Sequence, residues 1–395
     1  MATLLLIVIY LAYISLGIPD SLFGTAWPVM HNDFALPVDI AGYLAPAFML
    51  TSVISSLFSS RVINRFGTGR VAAFSTALTV VGLVGTSFSG NIFLVLLCSI
   101  PLGLGAGAID SALNSYVAVH YKAIHMNFLH CFYGVGVSVS PIFMSRALES
   151  TGRWENGYRN AAIVQFAIAF IMFVSLPLWN KVKQIEADSG RVEVESRNAS
   201  FGELIKNPAI IAVWLCFISS CSVEHLCSTW GSSYLVGARG FEPDDASMTV
   251  TAYFIGLTLG RFLSGLLSVK LSSWKIIFCG TSALACAIII LFLPLPAAAA
   301  GIGLFFCGFG VGPIYPNLMH LTPSSFGEDI SASVIGSQMA AAYIGLMCMP
   351  FVIGGIVRAV GIEAFPWCAL VIFSVFVAAL TVLVKTLKKQ GRNVS

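Results

Sequence analysis

Charged side chains are scarce in this sequence. Aspartate, glutamate, lysine and arginine together make up 10% of the 395 residues, whereas 57% are hydrophobic and the mean hydropathy is +0.88. A water-soluble fold cannot cover its surface with so few charges. Apolar stretches of about 20 residues, long enough to cross a bilayer, recur along the whole chain. The composition therefore excludes a soluble globular protein and indicates an integral membrane protein.

The residue groupings that carry enzyme chemistry are also missing. No nucleophile with a base, metal-ligand cluster or nucleotide-binding loop is recognisable, and the glycine run at 103–107 lacks the lysine and the strand of a phosphate loop. The ten cysteines form no CxxC pair and fall within or beside apolar stretches, so we interpret them as packing residues. The longest polar segment, residues 181–208, is too short for a sensor domain. We expect no enzyme activity, cofactor, metal ion or nucleic-acid partner.

Twelve apolar stretches predict membrane-spanning helices, the first at residues 3–30 and the last at 364–386. They lack the alternation and the roughly 10-residue length of barrel strands, so we interpret all of them as helices. No basic residue precedes the first stretch and no small-residue cleavage site follows it. We therefore expect this stretch to be a retained helix rather than a signal peptide.

Basic residues in the short loops predict the orientation of these helices. Fifteen lysines and arginines fall on the side of both termini, among them Arg191, and five fall on the opposite side. The five are Arg146, Arg153, Arg159, Arg239 and Arg358. Because cytoplasmic loops carry an excess of basic residues, we expect a multi-pass protein of the cell (inner or plasma) membrane with both termini in the cytoplasm.

The charged segment KVKQIEADSGRVEVESRNASFGELIKNP, after six predicted spans, divides the chain. It predicts a six-helix half at residues 1–181, a cytoplasmic linker at 182–207, and a second six-helix half at 208–395. The halves match at a nearly constant offset. GLGAGAID at 103–110 aligns with GFGVGPIY at 308–315, an offset of 205. We thus predict an all-α membrane fold with two pseudo-repeat halves, the major facilitator architecture, whose substrate sites lie near the midplane.

Four charged residues lie well inside predicted spans: the acids Asp20, Asp110 and Glu224, and the base Arg261. The repeat places Asp20 opposite Glu224. An ionised side chain at this depth costs at least about 2.5 to 3.5 kcal/mol. We therefore expect each to face a cavity, to contact a partner, or, for the acids, to be protonated, and we interpret the three acids as proton-coupling residues.

Polar residues on the fourth and fifth spans extend the candidate binding site. Asn114 follows Asp110 by one helical turn, so both polar groups share a face. Asp110 could instead act only as a hydrogen-bonding group between helices. On the fifth span we expect His130 to line the cavity, with an ordinary wet histidine as the alternative. We expect Asn127, one turn before it, to be a solvated residue near the cytoplasmic end.

The second half offers further polar and aromatic side chains. Trp230 lies within two turns of Glu224 and supplies a ring face of the kind a sugar prefers, although tryptophans also anchor helices at the membrane interface. We expect Tyr315, Asn317 and Gln338 to face inward as substrate-binding residues, with a packing role as the alternative for each.

Arg261 is the only cation well inside a predicted span. Its guanidinium could extend to the cytoplasmic interface, or pair with carbonyl groups and an acid across a gate. We favour a structural or gating role, and a fixed cation beside an anionic substrate is the alternative.

The chain resembles the fucose permease and glucose/mannose proton symporter branch of the major facilitator superfamily over nearly its full length. GAIDSALN supplies that branch's acid and following polar residue as Asp110 and Asn114, Asp20 matches its first-helix acid, and HMNFLHCFYGVG resembles its fifth-helix entry. The resemblance implies proton-coupled sugar uptake, with substrate binding and proton coupling assigned to Asp20 and Asp110.

Some positions depart from the family pattern. Asp110 stands where glutamate is common, and Glu224 looks like the acid of the glucose/mannose members. The loop SSRVINRFGTGR keeps the Arg-x-Gly pattern of the superfamily gating loop, so we assign Arg65 and Arg70 to gating. In that loop Asn64 stands where an acid is usual, which weakens the usual charge latch.

The residues and the resemblance together predict a secondary active transporter that imports a sugar or similar small hydroxylated solute by proton symport. Sodium remains possible as the coupling ion. The alternative is a proton-coupled antiporter that exports drugs or amphipathic metabolites. We expect the partners to be a small molecule, a proton and the lipid bilayer, and the protein to be a monomer.

Overall fold

The computed structural model describes residues 2–37, 41–188, 196–293 and 297–394, so Arg191 lies outside the described residues. The described residues form sixteen α-helices and one short 3-10 helix, Ile362–Ala364. The α-helices are α1 (Ala2–Asp33), α2 (Ala41–Phe66), α3 (Thr68–Ser87), α4 (Ile92–His120), α5 (Ala123–Thr151), α6 (Trp154–Val174), α7 (Leu176–Asp188), α8 (Phe201–Leu204), α9 (Pro208–Arg239), α10 (Pro243–Leu267), α11 (Ser273–Phe292), α12 (Ala297–Val311), α13 (Ile314–His320), α14 (Thr322–Phe326), α15 (Ser331–Val360) and α16 (Phe365–Lys389).

Twelve helical stretches within the described residues are long and apolar enough to cross a membrane. This confirms the prediction of twelve spans in an all-helical membrane fold. The apolar sequence favours helices because a helix satisfies its backbone hydrogen bonds within one segment, which hydrocarbon surroundings require.

Local signals in the sequence fix where helices begin and end. At the start of α9 the Asn207 side chain accepts a hydrogen bond from the backbone N–H of Ala209 at 3.0 Å, and Pro208 occupies the first turn. Gly240 ends α9 in the left-handed conformation, with φ of 72°. An asparagine cap, a proline in the first turn and a terminal glycine each favour this arrangement.

The predicted span at 297–320 is interrupted in the structure. α12 ends at Val311 and α13 begins at Ile314, with Gly312 and Pro313 between them. Proline lacks a backbone N–H and cannot continue the helical hydrogen-bond ladder. The break leaves the Pro313 carbonyl as a hydrogen-bond acceptor for Asn317, at 2.7 Å.

The described chain divides into two compact units. The first comprises residues 1–116, 129–198 and 328–340. In this unit α3 packs on α6, and α1 packs on both of them. Gly107 of α4 lies so close to α2 that a Cβ atom there would be 2.4 Å from the Ser52 carbonyl oxygen. The glycine at 107 therefore permits close helix packing.

The second unit comprises residues 117–128, 199–327 and 341–395. In it α9 packs on α16 and α10, and α12 packs on α10 and α11. A Cβ atom at Gly308 of α12 would lie 2.1 Å from the Tyr253 carbonyl oxygen of α10. This close approach holds α10 in place, with Tyr253 in the unit's apolar core. The division into halves at residues 182–207 stays a prediction.

Candidate functional site

The first unit holds Asp110 in a buried polar cluster. Asp110 is 8% exposed and accepts hydrogen bonds at one carboxylate oxygen from the Tyr13 hydroxyl and from Asn114 Nδ2, each at 2.8 Å. The His130 ring lies edge-on to the Tyr13 ring, with centroids 5.6 Å apart. The structure thus brings His130 close to Asp110 and Asn114, which the sequence had placed on one helix face. We call Tyr13, Asp110, Asn114 and His130 the Asp110 cluster.

Sequence reasoning missed Tyr13. The available signal was its spacing, because Tyr13 precedes Asp20 by seven residues, two turns of α1, and so lies on the same side of that helix. Tyr13 is buried, and a buried tyrosine usually finds a hydrogen-bond partner for its hydroxyl. Here that partner is the carboxylate of Asp110.

Asp20 is exposed although it lies near the middle of α1. It accepts a hydrogen bond from the Tyr133 hydroxyl of α5 and interacts electrostatically with Asp110. Helices α1 and α5 touch through glycine, since a Cβ atom at Gly17 would lie 2.3 Å from the Tyr133 carbonyl oxygen. The two acids of the first unit therefore lie close enough to interact electrostatically, and Asp20 is the more exposed of the two.

The first turns of α15 complete the surroundings of the Asp110 cluster. The Met339 sulfur lies 3.7 Å from Asn114 Nδ2, within hydrogen-bond distance for sulfur. The neighbouring Gln338, a predicted binding residue, is fully buried in the first unit.

The second unit pairs Glu224 with Arg261. A guanidinium nitrogen of Arg261 on α10 lies 3.5 Å from Glu224 Oε2 on α9. The side chain of Arg261 is 10% exposed and that of Glu224 is 29% exposed. The sequence offered several arrangements for Arg261, and the structure shows the one in which it pairs with an acid. That acid, Glu224, lies in the same unit as Arg261.

Trp230 and Tyr315 lie in aromatic and apolar surroundings of the second unit. Trp230 is partly buried against the core of this unit, 3.5 Å from where a Cβ atom of Gly354 would be. Tyr315 packs edge-on against Phe217, with ring centroids 4.9 Å apart. Their predicted roles in substrate binding stay predictions.

Asn317 belongs to a separate network of neutral polar groups. Asn317 Nδ2 donates to Ser264 Oγ at 2.8 Å, and Ser264 Oγ donates to Asn127 Oδ1 at 2.7 Å. The expectation that Asn127 is solvated was wrong, because its side chain is 0% exposed. The reason is tertiary packing: the beginning of α5 lies against α10, where a Cβ atom at Gly265 would be 3.0 Å from the Phe128 ring.

The predicted gating arginines Arg65 and Arg70 are exposed around the turn between α2 and α3. Next to them, Asn64 Nδ2 donates to Asn198 Oδ1 at 2.9 Å. Arg197 in turn pairs with Asp329 at 3.6 Å. The asparagine at position 64 therefore contacts residues at the end of the predicted linker, and the gating roles of the two arginines stay predictions.

A family model named Major Facilitator Superfamily matches residues 9–350. The chain belongs to this superfamily. Membership confirms the predicted major facilitator fold and makes the protein a multi-pass membrane transporter. Within the superfamily, the Asp110 cluster and the Glu224–Arg261 pair are its candidate sites for solute and coupling ion.

Similar proteins agree with this assignment. "Bypass of stop codon protein 6" of Saccharomyces cerevisiae is 23% identical over 95% of this chain and 81% of its own length. The glucose/mannose transporter GlcP of Bacillus subtilis is 19% identical over 87% of this chain and 86% of its own. The solved E. coli fucose:proton symporter FucP, 16% identical, superposes with a TM-score of 0.73 over 95% of this chain and 98% of its own. The resemblance stated from the sequence is thereby confirmed, with the solved structure bearing on the fold alone.

Proposed function

We propose that this major facilitator transporter imports a sugar or similar small hydroxylated solute together with protons, by alternating access. We place it in the cell (inner or plasma) membrane with both termini cytoplasmic. The observation that carries the proposal is the pairing in the first unit of an exposed acid, Asp20, with a buried acid, Asp110. The names of the similar proteins, a glucose/mannose transporter and a fucose:proton symporter, support it.

The Asp110 cluster suits hydroxyl groups. A carboxylate accepts hydrogen bonds, a protonated carboxyl group also donates one, and an asparagine amide does both. Asn114 Nδ2 already bonds Asp110, whereas Asn114 Oδ1 is buried without a hydrogen-bond partner among the described residues. Because an unpaired buried acceptor is unfavourable, a solute hydroxyl that donates to Asn114 Oδ1 would be bound at this position.

Proton coupling follows from the proximity of the two acids. Two ionised carboxylates repel each other, and a proton bound at either one removes the repulsion. The protonated acid then donates a hydrogen bond to the solute, so proton and solute stabilise each other's binding. Transport of the two together follows if the loaded and the empty protein change conformation more readily than the singly occupied ones.

The test is solute-triggered alkalinisation. Energy-depleted cells that express the protein are suspended in light buffer and given hexoses, deoxyhexoses and pentoses in turn. We expect a rise of external pH with one class of sugar, lost in Asp110→Asn, because the amide cannot take up a proton. The matched control is Glu149→Gln, which neutralises an exposed acid near the end of α5.

Other outcomes assign other functions. Sugar uptake that requires sodium and leaves external pH unchanged would show that sodium, not the proton, is the coupling ion. Silence across the panel, combined with proton entry driven by export of an amphipathic compound, would establish the antiporter instead.

A further inference from the structure

Arg261 is a feature that the proposed function leaves unexplained. It is a buried cation in the membrane-spanning part of the chain, and a neutral sugar needs no cation for its recognition. Buried charges in such segments usually mark substrate or ion pathways. Its surroundings in the second unit indicate what it binds.

Among the described residues, the pair with Glu224 leaves most of the hydrogen-bonding capacity of Arg261 unused. The single contact within the ion-pair limit joins one guanidinium nitrogen to one carboxylate oxygen at 3.5 Å, longer than the 2.7 to 2.9 Å typical of charge-assisted hydrogen bonds. Arg261 Nε is buried and has no hydrogen-bond partner among the described residues. Tyr253, on the same helix, interacts electrostatically with both Glu224 and Arg261, and its hydroxyl is also buried without a hydrogen-bond partner among the described residues. The Arg261 Nε–H and the Tyr253 hydroxyl are therefore two buried donors that an acceptor could bind.

Among the described residues, few charged or titratable groups interact with Glu224. Arg261 and Tyr253 of α10 and the thiols of Cys227 and Cys307 interact with one another or with this carboxylate. Helix α12, which carries Cys307, contains no charged residue. On α9 itself, the His225 ring is within hydrogen-bond distance of Thr229 Oγ1, at 3.2 Å. Among these groups, Arg261 is the one permanent charge that faces Glu224, so protonation of Glu224 leaves Arg261 without a counter-charge.

We infer that the Glu224–Arg261 pair is an anion-binding subsite and that the solute carries a carboxylate. When Glu224 takes up a proton, Arg261 becomes a buried unpaired cation, which is strongly unfavourable. A carboxylate from the solute restores neutrality and matches the planar guanidinium fork, which the single contact to Glu224 does not fill. The site is neutral with ionised Glu224 and neutral again with protonated Glu224 and the bound anion. One proton and one anion therefore bind together.

This inference rests on the proposed function and narrows its substrate class. The solute becomes a hydroxylated monocarboxylate, of the kind formed when a sugar is oxidised at one end. The 29% exposure of the Glu224 side chain leaves the carboxylate open to the incoming proton.

The experiment measures binding to the purified full-length protein in detergent, at pH 5.5 and 7.5, by the solute-dependent rise of its melting temperature. The probes are matched pairs of similar size: D-gluconate and D-glucose, and D-glycerate and glycerol. For wild type we expect the anions to bind more tightly than their neutral partners, and to tighten on acidification by up to about tenfold per pH unit, the limit for coupling to one proton. Equal binding of anion and neutral partner overturns the inference.

Two variants test the role of the pair. Glu224→Gln resembles the protonated acid, so we expect gluconate to bind at pH 7.5 as tightly as it binds wild type at pH 5.5. Glu224→Gln/Arg261→Gln removes both charges, which protects folding, and we expect it to lose the preference for anions. A double variant that still prefers gluconate overturns the inference.

Failure of this inference and failure of the proposed function are distinguishable when D-gluconate is added to the alkalinisation panel and the result is compared with the binding measurements. A response to neutral sugars, together with no preference for gluconate, would leave the proposed function intact and remove the anion subsite. No proton movement and no binding with any probe would remove both.

Discussion

The acids of the two units have different kinds of partner. In the first unit Asp110 is bound by the neutral donors Tyr13 and Asn114, and Asp20 by the neutral donor Tyr133. In the second unit Glu224 faces the permanent cation Arg261. An acid with neutral partners can take up a proton and leave no buried charge behind. An acid with a cationic partner cannot do so unless another anion arrives.

The comparison therefore separates two tasks. Under the proposed function, proton uptake in the first unit is favoured by the repulsion between two carboxylates, and a neutral hydroxyl group of the solute completes the site. Under the inference of an anion subsite, proton uptake by Glu224 leaves Arg261 without a counter-charge, and a carboxylate of the solute completes the site. The proposed solute, a hydroxylated monocarboxylate, carries both kinds of group.

The largest expected effect on stability comes from removing one charge of the Glu224–Arg261 pair in the second unit. We expect Arg261→Ala to lower the free energy of unfolding by about 2 kcal/mol, below the usual 3 to 5 kcal/mol for one half of a buried pair, because Glu224 is partly exposed. Thermal unfolding in detergent measures the change. The double variant Glu224→Gln/Arg261→Gln should recover most of the loss, and a double variant as unstable as Arg261→Ala would show that packing of the arginine stem, not charge, dominates.

A smaller effect on the free energy of unfolding is expected when a neutral donor to Asp110 is removed in the first unit. Tyr13→Phe keeps the ring contact with His130 but removes a hydrogen bond to the Asp110 carboxylate, so we expect a loss of about 1.5 kcal/mol in the free energy of unfolding. Because the ionised acid loses a donor, half-maximal proton-coupled uptake should move to higher pH. The control is Tyr158→Phe, at a tyrosine that packs against Trp154. An unchanged pH profile in Tyr13→Phe would mean that Asp110 does not carry the coupled proton.

Much of this arrangement was predictable from sequence because membrane helices follow a simple rule. Apolar runs of the required length predicted the twelve spans, and the cost of burying charge singled out Asp20, Asp110, Glu224 and Arg261. The spacing of Asp110 and Asn114 placed them on one helix face, and the structure bonds them at 2.8 Å.

The partners of these residues were not predictable in the same way. Tyr13 and Tyr133 bond the two acids across helices, and no periodicity within one helix reports which helices touch. Contacts between distant helices also moved Asn127 from its expected solvated position into a buried network. The pairing of Glu224 with Arg261 joins α9 to α10, and a single sequence does not specify which helices pack together.

The smallest of the three effects is expected in the neutral network of the second unit, which sharpens the contrast between charge and neutral hydrogen bonding within one unit. Ser264 Oγ donates to Asn127 Oδ1 and accepts from Asn317 Nδ2, so Ser264→Ala leaves both buried amides with one partner fewer. We expect a loss of about 1 kcal/mol in the free energy of unfolding. The matched control Ser282→Ala, which removes an exposed hydroxyl bonded to the Phe278 carbonyl, should change it by less than about 0.5 kcal/mol. If Ser264→Ala destabilised the protein as much as Arg261→Ala, hydrogen bonding rather than charge would be the main polar contribution to this unit's stability. The argument for an anion at Arg261 would then have to rest on the binding measurements alone.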